Sequence, residues 1–452
     1  MASVAPAPGE RPQHERDDVE AADDHADLPL RAADLVDVRG EHREQVEEAR
    51  EEADGAEQRQ SEVERPEAGP GRLAHPTIVR PRPRTGCEGP TAALACIIGS
   101  PPGRARRLAP AHHTGDTVSR AAPRARGRAS AVPNATDEYR NKLRTPDEAV
   151  ALIPDGAFVF KGNCAGEPPA LVRALADRAR DGGFTNLRTT SLLPMGAASE
   201  SILAPDVRDV IRWESLFVNG VDRGLIGSGV AHYNPNFFHQ VPRLILEFMD
   251  IDVALIDVSR VDRHGYMSLG TNVDTHKAAI EKADIVIAEV NNHMPRVHGN
   301  SWVHVSELDA IVEHDEPLPE LPLVPERPED EAMGQLIAEM VPDGATIQLG
   351  IGGVPNALAR ALMGHRNLGI HTEMFVDSMV DLIESGVADG SQKTFHPGKA
   401  VYAFAAGARR TYEFLDDNPG IEAHPVSYTN FPPNIARNEN MISVNSTIEV
   451  DL

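Results

Sequence analysis

Apolar and polar positions along this chain follow two regimes that meet near residue 136. From Asp137 onward the short apolar runs AFVF, NLRTTSLL, LIGSG, DVALIDVS and ADIVIAEV alternate with stretches whose apolar residues recur at helical spacing. Runs of that length bounded by turn residues predict buried strands of a mostly parallel sheet. PPALVRALADRAR and VPNALARALM predict crossover helices, and NKLRTPDEAVALI predicts a helix with Thr145 as N-cap and Pro146 at its first position. Before the break there is no Lys, Phe, Tyr or Trp, and no Asn until Asn134. A segment so poor in apolar bulk does not offset its chain entropy, so residues 1–136 read as disordered or as a start site assigned too far upstream.

The pattern also repeats. Residues 154–175 read PDGAFVFKGNCAGEPPALVRAL and residues 342–362 read PDGATIQLGIGGVPNALARAL, in register but for one gap. Each copy is followed by an Asn-Leu pair that opens a strand, and counting from Asn186 and Asn367 sets Leu192 opposite Glu373. Only the second copy therefore carries a carboxylate at that place. Between the copies DEPLPELPLVPERPED, with five prolines, reads as a stiff linker over residues 316–329. The expected architecture is two duplicated open α/β domains, 137–315 and 330–452, with a cleft between them. MISVNSTIEVDL reads as a strand that stops short, so the second domain is expected to be incomplete.

The net charge of -25 argues against binding to nucleic-acid backbones or anionic membranes, which the Arg-rich stretch between Glu67 and Arg128 does not outweigh. No apolar stretch approaches a membrane span and no signal peptide is recognisable, so a cytoplasmic location is expected. Cys87, Cys96 and Cys164 are unpatterned, which implies neither a disulfide framework nor a zinc module. Cys164, in the glycine-rich loop of the first copy, reads as a small buried residue rather than a nucleophile.

The candidate chemistry lies in the second copy. Gly350, Ile351, Gly352, Gly353 and Val354 follow the strand ATIQL and open the helix NALARAL, which offers backbone N–H groups and a helix N-terminus to an anion. The turn is not GxGxxG and has no P-loop Lys, and glycines here also serve tight strand-to-helix packing. One crossover later Glu373 stands at the end of the next strand, where open α/β sheets place their sites. Its neighbours Met374 and Phe375 set it beside apolar surface, where partial desolvation makes a carboxylate a better nucleophile. Asp377 and Glu384 are expected as a cap and a surface group. His293, His298 and His304 lack metal-ligand spacing, and no Ser-His-Asp nucleophile elbow is present.

At GIGGVPNAL, LGIHTEMF, KTFHPGKAV, HPVSYTN and VNSTIEVDL, with VDRHGYMSLG and MPRVHGNSWVHVS in the first half, the chain resembles the acetyl-CoA hydrolase/transferase family, most closely its 4-hydroxybutyrate (butyryl-CoA:acetate) CoA-transferases. The resemblance covers about Asp137 to Leu452. It implies the fold of class I CoA-transferases and a ping-pong exchange of CoA between short-chain carboxylates through a glutamyl-CoA thioester on the Glu of HTEM, here Glu373. It also implies that the turn Gly350 to Val354 lies against CoA, that Asn430 of the YTN segment donates to the oxyanion, and that CoA is a substrate with no metal or prosthetic group needed. A homo-oligomer is expected. An acyl-CoA hydrolase using the same glutamate and an inactive truncated fragment are the alternatives. The family has Asp-Gly after HTEM where this chain has Asp377 and Ser378, and it continues past EVDL with a GGQxDF stretch, which implies truncation here.

Overall fold

The computed structural model describes residues 135–321, 325 and 327–445. The expected disorder of 1–136 and the close of the terminal strand lie outside the described residues, apart from Ala135, Thr136 and the strand Met441–Val444.

Four of the five apolar runs become strands β1 (Phe158–Lys161), β2 (Leu187–Leu192), β5 (Val253–Val258) and β7 (Ile285–Val290), and the first half also holds β3 (Ile211–Phe217), β4 (His232–Tyr233), β6 (Tyr266–Ser268), β8 (His298–Gly299), β9 (Trp302–His304) and β10 (Ala310–Glu313). Seven of these form one sheet in the order β10-β7-β5-β1-β2-β3-β4, and every pairing in it is parallel. β5 is buried at all six positions, as a central strand covered on both faces must be. The helix Pro169–Arg180 crosses from β1 to β2 and buries Leu171, Val172 and Leu175.

In the second half the strands are β11 (Thr346–Leu349), β12 (Gly369–Ile370), β13 (Met374–Phe375), β14 (Ala400–Tyr402), β15 (Phe404–Ala405), β16 (Ile421–Ala423) and β17 (Met441–Val444). They form a parallel sheet β12-β11-β17, a pair β13-β15 and a sheet β14-β16-β8. The last of these takes one strand, β8, from the first half, and a Cβ on Gly299 would meet the Ala423 carbonyl at 2.4 Å. The region is a mixed α/β fold built on parallel sheets.

The duplication is written into hydrogen bonds. Gly156 N donates to Asn186 O at 2.7 Å and Gly344 N to Arg366 O at 2.9 Å, both glycines having positive φ. Asp155 accepts from Thr185 N and Asn186 N, as Asp343 does from Arg366 N.

One local expectation changes and one is met. LIGSG is not a strand: Arg223–Gly227 is a one-turn helix, because Asp222 fixes the turn before it and Leu225 O is taken by the N–H groups of Val230 and Ala231. The helix expected with Thr145 as N-cap and Pro146 at its first position forms as Pro146–Val150, and a separate helix, Ala135–Lys142, precedes it. The former has Thr145 and Glu148 in a capping box, and the Leu143 bridge to Ile311 separates the two.

Candidate active site

The glycine turn and Glu373 share one sheet edge. β11 and β12 are parallel neighbours, the turn leaves the C-terminal end of β11, and Glu373 follows β12 by three residues. Gly350 N donates to Val444 O at 3.1 Å, which ties the turn to β17. Gly352 has φ +117°, a conformation that only glycine adopts freely, and a Cβ placed there would meet open space. Gly353 is fixed by packing instead, since its Cβ would meet Asp330 Oδ2 at 2.3 Å. Among the described residues the N–H groups of Ile351, Gly352 and Gly353 have no partner, and the Ile351 side chain is 60% exposed at the head of the helix Gly353–Ala361. The turn thus offers donors and an apolar surface together.

The first copy closes its own turn. The Glu289 carboxylate accepts from Ala170 N at 3.2 Å and Leu171 N at 3.0 Å, so the head of Pro169–Arg180 is taken up by the protein itself, and Glu167 in the same loop is spent on the buried Lys161 ammonium, Met195 N and Ala198 N. Cys164 is buried there with its thiol pushed up to about 12 by desolvation, as an inert residue should be.

Glu373 is clamped by its backbone and tuned at its side chain. Its carbonyl accepts from Ala403 N at 3.0 Å and Phe404 N at 3.1 Å. Its Oε2 lies 2.5 Å from Nδ2 of Asn430, which sits just past the one-turn helix Val426–Thr429. Burial raises the Glu373 pKa above the ordinary glutamate value; the Asn430 bond works against that shift, and the charge of Asp274 adds to it. A carboxylate in this state is incompletely solvated, which favours attack on an electrophilic carbonyl.

Asp274 belongs to a polar group that the sequence did not single out. Every residue from Thr271 to His276 is buried. Asp274 accepts from Asn163 Nδ2 at 2.8 Å and Thr275 N at 2.7 Å, and lies 3.0 Å from His276 Nδ1. Asn272 pairs with Phe404, and among the described residues neither atom of its side-chain amide has a hydrogen-bond partner; His276 Nε2 has none there either. Asn272 stands against β15, whose neighbour β13 follows Glu373 directly, and a buried unpaired amide there can receive a polar ligand. The only sequence signal was the polar run TNVDTH, which reads as a surface loop.

Asp377 is a cap, but of the next helix: it accepts from Ala408 N and, at 2.7 Å, from Thr411 Oγ1. Glu384 is exposed, as expected. His293, His298 and His304 go separate ways, His304 capping the turn Val305–Glu307 and His298 pairing with Glu422 across β8 and β16. Cavities of about 270 Å³ beside Tyr412 and beside Asp257 are not lined by Glu373. Among the described residues no helix is long and apolar enough to cross a membrane.

Residues 128–323 match the acetyl-CoA hydrolase/transferase N-terminal domain and residues 407–452 the C-terminal domain of the same family. The succinyl-CoA:cyclohexane-1-carboxylate CoA transferase of Geobacter metallireducens is 44% identical over 70% of this chain and 71% of its own length. The 4-hydroxybutyrate coenzyme A transferase of Clostridium kluyveri is 41% identical over 70% of this chain and 72% of its own. The crystal structure of RipA from Yersinia pestis, 41% identical, superposes with a TM-score of 0.68 over 70% of this chain and 75% of that one. With the duplicated turn, the carboxylate at the sheet edge and these likenesses together, the chain belongs to the acetyl-CoA hydrolase/transferase family.

Proposed function

We propose that the chain is an acyl-CoA:carboxylate CoA-transferase that moves CoA between short-chain carboxylic acids of the acetate, butyrate and 4-hydroxybutyrate class, with Glu373 as nucleophile. The observation that carries this reading is the half-buried Glu373 carboxylate held by Asn430 at 2.5 Å. The CoA-transferase names of the relatives that share about 40% of its residues support it.

Glu373 Oε attacks the acyl-CoA thioester carbonyl. The tetrahedral anion collapses with release of CoA thiolate, leaving a mixed acyl-glutamyl anhydride. The thiolate then attacks the glutamyl carbonyl, the first carboxylate leaves, and a glutamyl-CoA thioester remains. An incoming carboxylate reverses both steps, so no net proton or redox change occurs. Asn430 Nδ2 is placed to donate to the oxygen on which charge develops, a role worth roughly 3–4 kcal/mol for a well-aimed donor. The turn Gly350, Ile351, Gly352, Gly353 and Val354 binds CoA through the N–H groups of Ile351, Gly352 and Gly353, which have no partner among the described residues, and through the apolar Ile351. The long CoA arm supplies binding energy that is used at the reacting carbon. Exclusion of water keeps the glutamyl thioester from hydrolysis. In this reading CoA is the substrate without a prosthetic group, domains 137–315 and 330–452 flank the site, and the enzyme is a cytoplasmic homo-oligomer.

The test is peptide mass spectrometry on protein incubated with acetyl-CoA and no acceptor. A CoA adduct on the peptide that contains Glu373, absent in Glu373→Gln, is the expected result. A folded sample that forms no adduct, or carries it elsewhere, overturns the proposal.

A further inference from the structure

Among the described residues one group of three side chains converges as metal ligands do: His396, Glu422 and His424, whose ligand atoms all lie within 4.8 Å of one another. Glu422 stands in β16, and His424 follows two residues later on the same face. His396 arrives from the loop that precedes β14, in a left-handed conformation with φ +53° that is costly for a non-glycine residue. The loop is closed tightly enough to hold it there, because Gly398 N donates to Gly390 O at 2.9 Å.

The rings are aimed. His396 Nδ1 lies 2.7 Å and His424 Nε2 3.2 Å from the same oxygen, Glu422 Oε2. The far nitrogen of His396, Nε2, is 2.8 Å from the Tyr428 hydroxyl, and the Tyr428 ring stacks on His424 with centroids 4.7 Å apart. Metal-bound histidines are oriented in this way, by a partner on the nitrogen that does not ligate. Ligand atoms about 2.0–2.2 Å from a common ion stand on the order of 3.3 Å apart, so small side-chain adjustments suffice. The three side chains are 14–21% exposed, which leaves a path for an ion and for water as a further ligand.

We infer that His396, Glu422 and His424 form a binding site for a divalent transition-metal ion of the zinc class. Two imidazoles and one carboxylate favour such an ion over magnesium or calcium, which take oxygen ligands. The ion acts at a distance from the reacting carbonyl. Tyr428 packs on two of the ligands, and the next residue, Thr429, accepts through its carbonyl from His371 Nε2 at 2.7 Å. Asn430 follows Thr429, and His371 precedes Glu373 by two residues, so an ion here braces both segments that carry the candidate active-site pair.

The experiment uses the full chain, stripped with a chelator and titrated with zinc(II), with cobalt(II) as optical probe and magnesium and calcium as controls. Expected are one zinc equivalent lost in His424→Ala and Glu422→Gln, a rise in Tm on loading that these variants lack, and cobalt d–d absorption of low-symmetry character. Each variant should weaken binding by about tenfold or more. Binding unchanged in folded variants assigns the ion to other histidines and overturns the inference, as does a wild-type chain that takes up no zinc equivalent. Where a variant does not fold, X-ray absorption of the zinc-loaded wild type decides: two imidazoles with oxygen ligands are expected, and sulfur or a single imidazole overturns it.

Discussion

Nδ2 of Asn430 is 2.5 Å from Oε2 of Glu373, a contact between the loop after β16 and the end of β12 that brings together two segments far apart in the chain. It makes Asn430 the group that offsets burial at the carboxylate, and it sets the first expectations.

Glu373→Gln should remove CoA exchange by on the order of 10³-fold or more, since an amide neither attacks the thioester nor leaves as a carboxylate. Its Tm should stay within a few degrees of wild type, because the Asn430 contact survives with an amide oxygen as acceptor. Steady-state exchange kinetics and a thermal melt on the same sample check both halves.

Asn430→Ala should lower kcat by about 10²–10³-fold. It should also move the acid limb of the pH profile upward. The working form of Glu373 is the carboxylate, so activity falls as pH drops through its raised pKa, and the Asn430 bond favours the ionised form. Loss of the bond raises the pKa further. An acid limb that stays in place or moves down would contradict this assignment.

Asp274→Asn should move the same limb the other way, because it deletes the negative charge that adds to the Glu373 shift. Its bond from Thr275 N persists through the amide oxygen, and the new amide NH2 can donate to the otherwise unpartnered Oδ1 of Asn163 once that side chain turns over, so the variant should fold. The readout is the pH dependence of kcat/KM against wild type.

Gly352→Ala meets no steric block but forces a residue with Cβ to φ +117°. A cost of about 1–3 kcal/mol in stability is expected from the backbone alone. If the turn binds CoA, KM for acyl-CoA should rise more than kcat falls. Equal KM in both proteins would confine the turn to a packing role.

A different site governs stability against pH. Asp257 and Glu289 are buried on β5 and β7, and burial raises both carboxyls, that of Glu289 to about 7. A folded pKa above the unfolded one means that their contribution is full below the ordinary carboxylate range and is lost as pH rises through the folded values. Asp257→Asn should therefore stabilise the protein at pH 8 relative to wild type and flatten the loss of stability as pH rises above the ordinary carboxylate range. Urea midpoints at pH 5 and pH 8 test it.

Periodicity made β1, β5, β7 and the crossover helices legible, because strands buried on both faces write their burial directly into runs of Val, Ile, Leu, Ala and Phe, while β2 (LRTTSL) carries apolar residues only at its ends. The duplication exposed Glu373, since the position opposite is an apolar Leu192. The run Thr271 to His276 stayed hidden: polar residues in sequence signal solvent, and only the pairing of Asn272 with Phe404 reveals that this segment crosses the interior. LIGSG failed for the opposite reason, Leu225 and Ile226 reaching the core from a one-turn helix rather than a strand. His396 and His424 were passed over because their segments meet only through the β14-β16-β8 sheet.

That sheet also limits how this protein can be taken apart. A gene cut in the proline-rich stretch would yield two pieces, each with its half of the repeat, yet β8 and its partner β16 would fall on different pieces. The second piece would then present the backbone of Ile421–Ala423 as an open edge, prone to self-association, and the first would carry an unpaired two-residue ribbon. The ancestral repeat is therefore no longer a module: the halves have traded a strand, and co-expression rather than separate production is the route to a split form.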